Sequence, residues 1–154
     1  MANCLLILSS TRTAERSLTR ALKVAEKGHL SAIFVLDQHA PKNLSKHLSG
    51  LGFTGSRPKG EVTGVLKAEY HKRGEVLLSQ VLKEASARGI PCSTQITVGD
   101  FVDECLTAIR RQRIDYVVVS HKKKSHMSRY LFGSAVESLQ AEAECPVEII
   151  EEEG

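Results

Sequence analysis

The sequence predicts an α/β fold: a doubly wound, five-stranded parallel sheet of order 3-2-1-4-5 with helices on both faces. The first observation is that five short apolar segments alternate along the 154 residues with segments of helical periodicity, as in repeated βαβ units. The second is that two of these segments are the most apolar and two alternate with polar residues. The former belong in the centre of the sheet and the latter at its edges. This order puts the topological switch between the first and fourth strands, where such folds bind ligands.

The chain starts with a predicted strand, helix and strand. Residues Asn3–Leu8 form a short continuous apolar run, which indicates a buried central strand, and Ser31–Leu36 form a second buried strand. Residues 9–11, Ser-Ser-Thr, are of the types that cap helix N-termini. Gly28 ends the helix between the strands. The apolar residues of that helix recur at helical spacing: Leu18, Ala21, Leu22 and Ala25.

A basic, loop-rich segment separates this unit from a long helix. Residues Asp37–Gly60 hold four glycines and two prolines, and no acid lies between Asp37 and Glu61. A loop of this length is often functional or disordered. From Glu61 to Arg88 the pattern predicts a helix, which Gly74 is expected to weaken in its middle. One face of this helix is apolar: Leu66, Tyr70, Leu77, Val81 and Ala85.

The second half of the chain supplies the other three strands. Pro91–Val98 alternates between apolar and polar residues, which predicts an edge strand, and Asp100 can cap the helix that follows. Tyr116–Val119 is an apolar, mostly β-branched run and predicts a central strand. Residues 133–144 predict a helix and Pro146–Ile150 a last edge strand. The helix after Asp100 buries a regular set of side chains: Val102, Cys105, Leu106 and Ile109.

The segment after the fourth strand is the candidate site. Ser120–Phe132 reads as a loop without acidic residues, and Gly133 and Ser134 follow it at the start of a helix, where Ser134 and Glu137 fit a capping box. Free N–H groups and the helix dipole favour anions at such a helix start. The alternative is a capped helix behind a solvated loop. The cations of the loop are Lys122, Lys123, Lys124 and Arg129.

Composition narrows the function classes. A net charge of +3 is too small to imply nucleic-acid binding, and the basic segments lack the interleaved aromatic residues of single-strand binders. No apolar run is long enough for a membrane helix, and Met-Ala-Asn-Cys-Leu lacks the features of a secretory signal, so we expect a cytoplasmic protein. No catalytic motif or metal-ligand spacing is evident. The cysteines are expected to be reduced core thiols: Cys4, Cys92, Cys105 and Cys145.

On these residues the sequence resembles the universal stress protein family. The resemblance covers nearly the whole chain and is most specific in the C-terminal quarter, where a strand, a loop, Gly-Ser, a helix and Cys-Pro-Val follow each other at the family spacing. We find no internal repeat, so the resemblance implies a single domain over residues 1–154. The matching pieces are Leu5–Leu36, Val98-Gly99-Asp100, Asp115–Val119, Gly133-Ser134 and Cys145-Pro146-Val147.

The resemblance also implies a nucleotide site, and two departures weaken it. ATP-binding members carry Gly-x-x-Gly, nine residues and then Gly-Ser; here Gly133-Ser134 matches, but Ser120 and Lys123 replace the first two glycines. The family's Asp after the first strand falls on Ser9 or Ser10, which keeps a hydrogen bond but loses the charge. We therefore expect an impaired ATP site and no required cofactor, with ATP or AMP still candidate ligands. The residues that would line it are Ser9, Ser10, Val35, Val98, Val119, Ser120, Lys123, Gly133, Ser134 and Ala135.

The last strand suggests a partner. Val147 and Ile149 share one face of Pro146–Ile150, and an edge strand can pair with another chain. Family members commonly dimerise through this strand, so the resemblance implies a homodimer. The alternative is that Glu148 and the glutamates at 151–153 keep the edge monomeric.

Together with these observations, the resemblance implies a non-catalytic, stress-response regulatory domain that acts through contacts with itself and with an unknown protein partner. The alternative is an adenine-nucleotide or phosphate sensor that uses the lysine-rich loop and the start of the helix at Gly133-Ser134.

Overall fold

The computed structural model describes residues 2–8, 14–37, 59–122 and 135–152. Strands and helices alternate along these residues as the sequence predicts. They are β1 (Asn3–Leu8), α1 (Glu15–Val24), β2 (His29–Asp37), α2 (Lys59–Ala87), β3 (Cys92–Gly99), α3 (Phe101–Arg111), β4 (Tyr116–Lys122), α4 (residues 135–142) and β5 (Val147–Glu152).

The described strands form a five-stranded sheet of order β3-β2-β1-β4-β5, and every neighbouring pair is parallel. This confirms the predicted order and the predicted edges. The apolar strands β1 and β4 lie side by side in the centre, where Ile7 pairs with Ile33 on one side and with Val119 on the other. The switch in strand order therefore falls between β1 and β4.

Helices cover both faces of the sheet because successive strand residues point to opposite sides. The even-numbered residues of β1 pack in one cluster with α1 and α2, and the odd-numbered residues pack in a second cluster with α3 and α4. The even-numbered set of β1 is Cys4, Leu6 and Leu8. The odd-numbered set is Leu5 and Ile7. This confirms the doubly wound architecture.

The long helix α2 packs on the sheet through Gly74. A Cβ at this position would lie 2.6 Å from the ring of Phe34, which is buried on β2. The glycine was expected to weaken the helix, and the structure adds that it lets the helix approach the aromatic ring. Neither α2 nor any other helix in the described part of the chain is both long and apolar enough to cross a membrane.

Strands β4 and β5 run further than the sequence predicts. Ser120, His121 and Lys122 were assigned to the loop, but they extend β4 and pair with residues 150–152. The prediction ended each strand at its last apolar residue. It missed the extension because the polar residues here are held by strand pairing, and Glu152 is buried at the end of β5.

Candidate functional site

The candidate site lies at the carboxyl ends of β1 and β4, where the strand order switches. Strand β1 ends at Leu8, while β4 continues beyond Val119 for three residues that pair with β5. Ser120 is fully buried in this extension. It therefore belongs to strand β4 and not to the loop that the sequence predicted.

The structure brings together some of the proposed nucleotide-site residues. Val35 and Val119 are buried in the cluster beneath α3 and α4, and Ala135 packs against the same cluster. Val98 is 53% exposed and pairs with Leu36, which belongs to the opposite cluster. The other proposed residues lie outside the described residues: Ser9, Ser10, Lys123, Gly133 and Ser134.

Thr97 adds a polar group that the sequence did not single out. It pairs with Val35 near the end of β3, and its Oγ1 is buried without a hydrogen-bond partner among the residues described. A buried hydroxyl without a partner costs stability, about 1–3 kcal/mol. In the sequence, Thr97 is one of the alternating residues of a predicted edge strand. This alternation does not show which hydroxyl groups lack hydrogen-bond partners.

The N-terminus of α1 is satisfied from another part of the chain. Ala14 is the N-cap residue and makes no side-chain cap, so the expected capping by residues 9–11 is wrong. Instead, the carboxylate of Glu152 accepts hydrogen bonds from Ser17 N at 2.6 Å and from Ser17 Oγ at 2.9 Å. Sequence reasoning missed Glu152 because a glutamate in an acidic tail is usually solvated.

A second glutamate of β5 contacts the same helix. The carboxylate of Glu148 accepts from Arg20 Nε at 2.7 Å and from the Tyr116 hydroxyl at 2.9 Å. The Arg20 guanidinium also lies 5.7 Å from the centre of the Tyr116 ring. These hydrogen bonds, first the one from Arg20, lower the pKa of Glu148, and the bond to Glu148 raises the pKa of Arg20. Glu148 and Glu152 thus have hydrogen-bond partners within the chain.

The N-terminus of α3 also carries its own carboxylates. Asp100 accepts a hydrogen bond from Asp103 N at 3.1 Å, which confirms the predicted cap, and Asp103 and Glu104 lie in the first turn. Negative charge already surrounds these N–H groups, so this helix start is unsuited to a phosphate. At both α1 and α3, therefore, the chain supplies its own anion to the helix start.

The cysteines provide no metal site in the described part of the chain. No group of three or more His, Cys, Asp or Glu side chains there is arranged to hold a metal ion. All four cysteines are free thiols. Burial raises the pKa of Cys4 to about 12, and it also raises the pKa of Cys105, which is buried under α3. These two thiols match the expectation of core residues, whereas Cys92 and Cys145 are half-buried.

Comparison with known proteins identifies the relatives of this fold. A family model, the universal stress protein family, matches residues 2–151. No curated protein matches the chain. Among solved structures, a universal stress protein family member from Burkholderia pseudomallei has a TM-score of 0.61 at 18% identity, covering 97% of this chain and 95% of its own.

Two further structures are described with nucleotides. A family protein from Arabidopsis thaliana with AMP bound has a TM-score of 0.58 at 19% identity and covers 100% of this chain and 94% of its own. A universal stress protein in complex with cAMP has a TM-score of 0.56 at 16% identity and covers 98% of each chain. At these identities the likeness establishes the fold.

Proposed function

The chain belongs to the universal stress protein family, and from this premise we propose that it is a regulatory domain of the stress response that acts through protein contacts and not as an enzyme. The observation that carries the proposal is the edge strand β5. It pairs only with β4 among the described strands, and Ile149 on it is 39% exposed beside half-buried Val147. An edge of this kind can pair with another chain.

The partner we propose for this edge is a second copy of the chain. Two copies of β5 can pair antiparallel about a two-fold axis, which joins the two sheets into one. The Arg20–Glu148 contact and the Ser17–Glu152 contact hold two of the strand's glutamates on the α1 side. Arg20 also balances the negative charge of Glu148, which would otherwise oppose pairing.

The backbone of β5 offers a direct test. The carbonyl of Pro146 accepts from Val117 N on β4, and alternate residues of a strand point their backbone groups to opposite sides. The N–H of Ile149 therefore points away from β4. An Ile149→Pro variant removes an outward donor, while Ile149→Val keeps it and serves as the matched control. Light scattering should give a dimer for the wild type and for Ile149→Val, and a monomer for Ile149→Pro.

Two results would contradict the dimer. A wild-type monomer at micromolar concentration removes the proposal altogether. A dimer that survives Ile149→Pro moves the interface to another surface.

For the nucleotide site we propose an impaired form of the family pocket. Ser120 is buried near the end of β4, and the family resemblance implies the first glycine of the ATP-binding motif at this position. A side chain there restricts how closely a backbone can approach a phosphate. The loss of the acidic residue at Ser9 or Ser10 removes a charged acceptor for a ribose.

The second candidate is a sensor of adenine nucleotides or phosphate. The related folds described with AMP and cAMP favour it, as do the lysines that follow β4. In this alternative Gly133-Ser134 and the start of α4 hold the phosphate, because the helix starts of α1 and α3 already face carboxylates.

Calorimetric titration of ATP, ADP and AMP into nucleotide-stripped protein separates the two candidates. Micromolar binding that Gly133→Val abolishes would establish the sensor. Absence of heat at millimolar nucleotide supports the impaired site. In that case the double variant Ser120→Gly, Lys123→Gly should gain binding, and Ser120→Gly, Lys124→Gly is its matched control.

A further inference from the structure

Two turns at the amino edge of the sheet, where the parallel strands begin, carry opposite charges. Helices that join parallel strands return the chain to this edge, so every turn from a helix to a strand lies there. The arginine turn (residues 110–113) ends α3 and leads to β4, and the glutamate turn (residues 142–144) ends α4 and leads to β5. The charged residues, all exposed, are Arg110, Arg111 and Arg113 in the first turn and Glu142 and Glu144 in the second.

The arginine turn is fixed to the sheet by its uncharged groups. The side chain of Gln112 accepts a hydrogen bond from the buried hydroxyl of Ser31 on β2. The carbonyl of Arg113 accepts one from Asn3 Nδ2 at 3.3 Å. Because its backbone is already held in place, this turn loses little freedom when a partner binds to its side chains.

The two turns are neighbours along the amino edge. Asp115, just before β4, accepts from Asn3 N at 2.8 Å and donates its own N–H to the Asn3 carbonyl at 2.8 Å. Burial raises the pKa of the Cys145 thiol, and the negative charges of Asp115 and Glu144 raise it further, because both carboxylates lie near it. The acidic side of the edge therefore starts two residues after Arg113.

The charges of both turns are free to meet a partner. In the part of the chain that the structure describes, none of these arginines or glutamates forms an ion pair. A second copy of the chain fits them, because a two-fold axis in the plane of the edge sets the arginine turn of each copy against the glutamate turn of the other. The net charge of +3 is too small to hold two copies apart or to attract a polyanion strongly.

We propose that the amino edge is a second interface between copies of this chain, in which the arginine turn of each copy meets the glutamate turn of the other across a two-fold axis. The contact is separate from pairing through β5, which uses a different side of the sheet. Exposed ion pairs are individually weak and are screened by salt. We therefore expect a transient contact with a dissociation constant of about 0.1–1 mM at low salt, well above the micromolar concentrations that test pairing through β5.

Charge reversal tests this contact by mixing two variants. An acidic-edge variant carries Arg110→Glu and Arg111→Glu, and a basic-edge variant carries Glu142→Lys and Glu144→Lys. Each should self-associate at least about tenfold more weakly than the wild type, because like charges then face each other. An equimolar mixture should recover the association, because opposite charges face each other again. Sedimentation equilibrium measures the recovery as a rise in average mass upon mixing, whether or not β5 pairs.

A control mixture makes the same charge changes away from the amino edge. One control variant carries Arg16→Glu and Lys72→Glu, and the other carries Glu69→Lys and Glu75→Lys, all at exposed positions of α1 and α2. Each should self-associate as the wild type does, and mixing the two should give no further rise in average mass.

Three results would overturn the proposal: a wild-type mass that does not depend on concentration at low salt, no recovery in the mixture of edge variants, or an equal rise in the control mixture. Should the reversed variants fail to fold, the milder pair Arg110→Gln and Arg111→Gln should lose the wild-type association, and full retention would contradict the interface. Binding of polyglutamate to the arginine turn of a chain that does not self-associate would assign this turn to an acidic partner instead.

Discussion

The carboxylate of Glu148 on β5 lies 2.7 Å from the guanidinium Nε of Arg20 on α1 and accepts the hydroxyl of Tyr116 from β4. Three elements that are distant in sequence are thereby joined on one face of the sheet. Both partners of the ion pair are partly exposed, so solvent screens the attraction. The contact therefore fixes the position of the edge strand more than it adds to the free energy of unfolding.

Glu148→Gln should make the stability of the protein less dependent on pH. The folded state lowers the pKa of Glu148, so the ionised carboxylate stabilises the fold at pH values above the ordinary glutamate pKa of about 4.3. That contribution is lost as the pH falls through the lowered folded-state pKa. The difference in thermal midpoint between wild type and variant should be present near neutral pH and shrink below about pH 4.

The matched control for this measurement is Glu151→Gln, which removes a charge from an exposed position of the same strand. It should leave the midpoint almost unchanged throughout. A constant difference between wild type and Glu148→Gln at every pH would show that the packing of the side chain, and not its charge, is responsible.

Gly74→Ala should destabilise the protein although alanine is the better helix former. The gain in helix propensity is about 1 kcal/mol. The new methyl group would lie 2.6 Å from the ring of Phe34, which is 1% exposed and cannot move into solvent. Overpacking of this kind costs about 1–3 kcal/mol, so we expect a net loss in the free energy of unfolding measured by urea denaturation.

A double-mutant cycle identifies the cause. Phe34→Leu replaces the ring that would meet the new methyl group by a smaller side chain. The loss of unfolding free energy caused by Gly74→Ala should therefore be smaller in that background. Ser79→Ala, at an exposed position of α2, is the control for helix propensity alone. Additive effects of Gly74→Ala and Phe34→Leu would exclude the steric explanation.

The sequence predicts the fold well because the fold depends on local periodicity. Continuous apolar runs identified β1 and β4 as central, and alternation identified β3 as an edge. What the pattern could not show are contacts between residues far apart in the chain. In the sequence, Glu152 cannot be distinguished from the other residues of an acidic tail, and only the folded strand β5 places it beside Ser17. Gly74 looks like a helix breaker in the sequence, and only the structure shows that it packs against Phe34.

Thr97→Val should stabilise the protein, because it removes a buried hydroxyl that has no partner among the described residues and keeps the shape of the side chain. We expect a gain of about 1 kcal/mol in the free energy of unfolding, and valine also suits a strand. Thr94→Val, at a half-buried position of the same strand, is the control for strand propensity. A destabilised Thr97→Val would mean that the hydroxyl is hydrogen-bonded in solution.

The candidate site was harder to predict than the fold because it, too, depends on contacts between residues that are far apart in the chain. The sequence marks Ser120 as a departure from a glycine pattern, but the side to which its side chain turns depends on how far β4 extends. That extension depends on pairing with residues 150–152, which lie thirty positions further along the chain. A local sequence pattern does not show that pairing.

The four thiols should react with an alkylating reagent in an order set by burial. The thiolate is the reactive form, and burial raises the pKa of Cys4 to about 12, so almost no thiolate forms at neutral pH in the folded protein. Cys105 is fully buried and should be equally slow. Cys92 and Cys145 are half-buried, and burial raises their pKa values too, but reagent can reach them.

Mass spectrometry after timed labelling should show Cys92 and Cys145 modified first, and all four cysteines modified together in denaturant. Early labelling of Cys4 or Cys105 would show that the core around that cysteine opens locally faster than the whole protein unfolds.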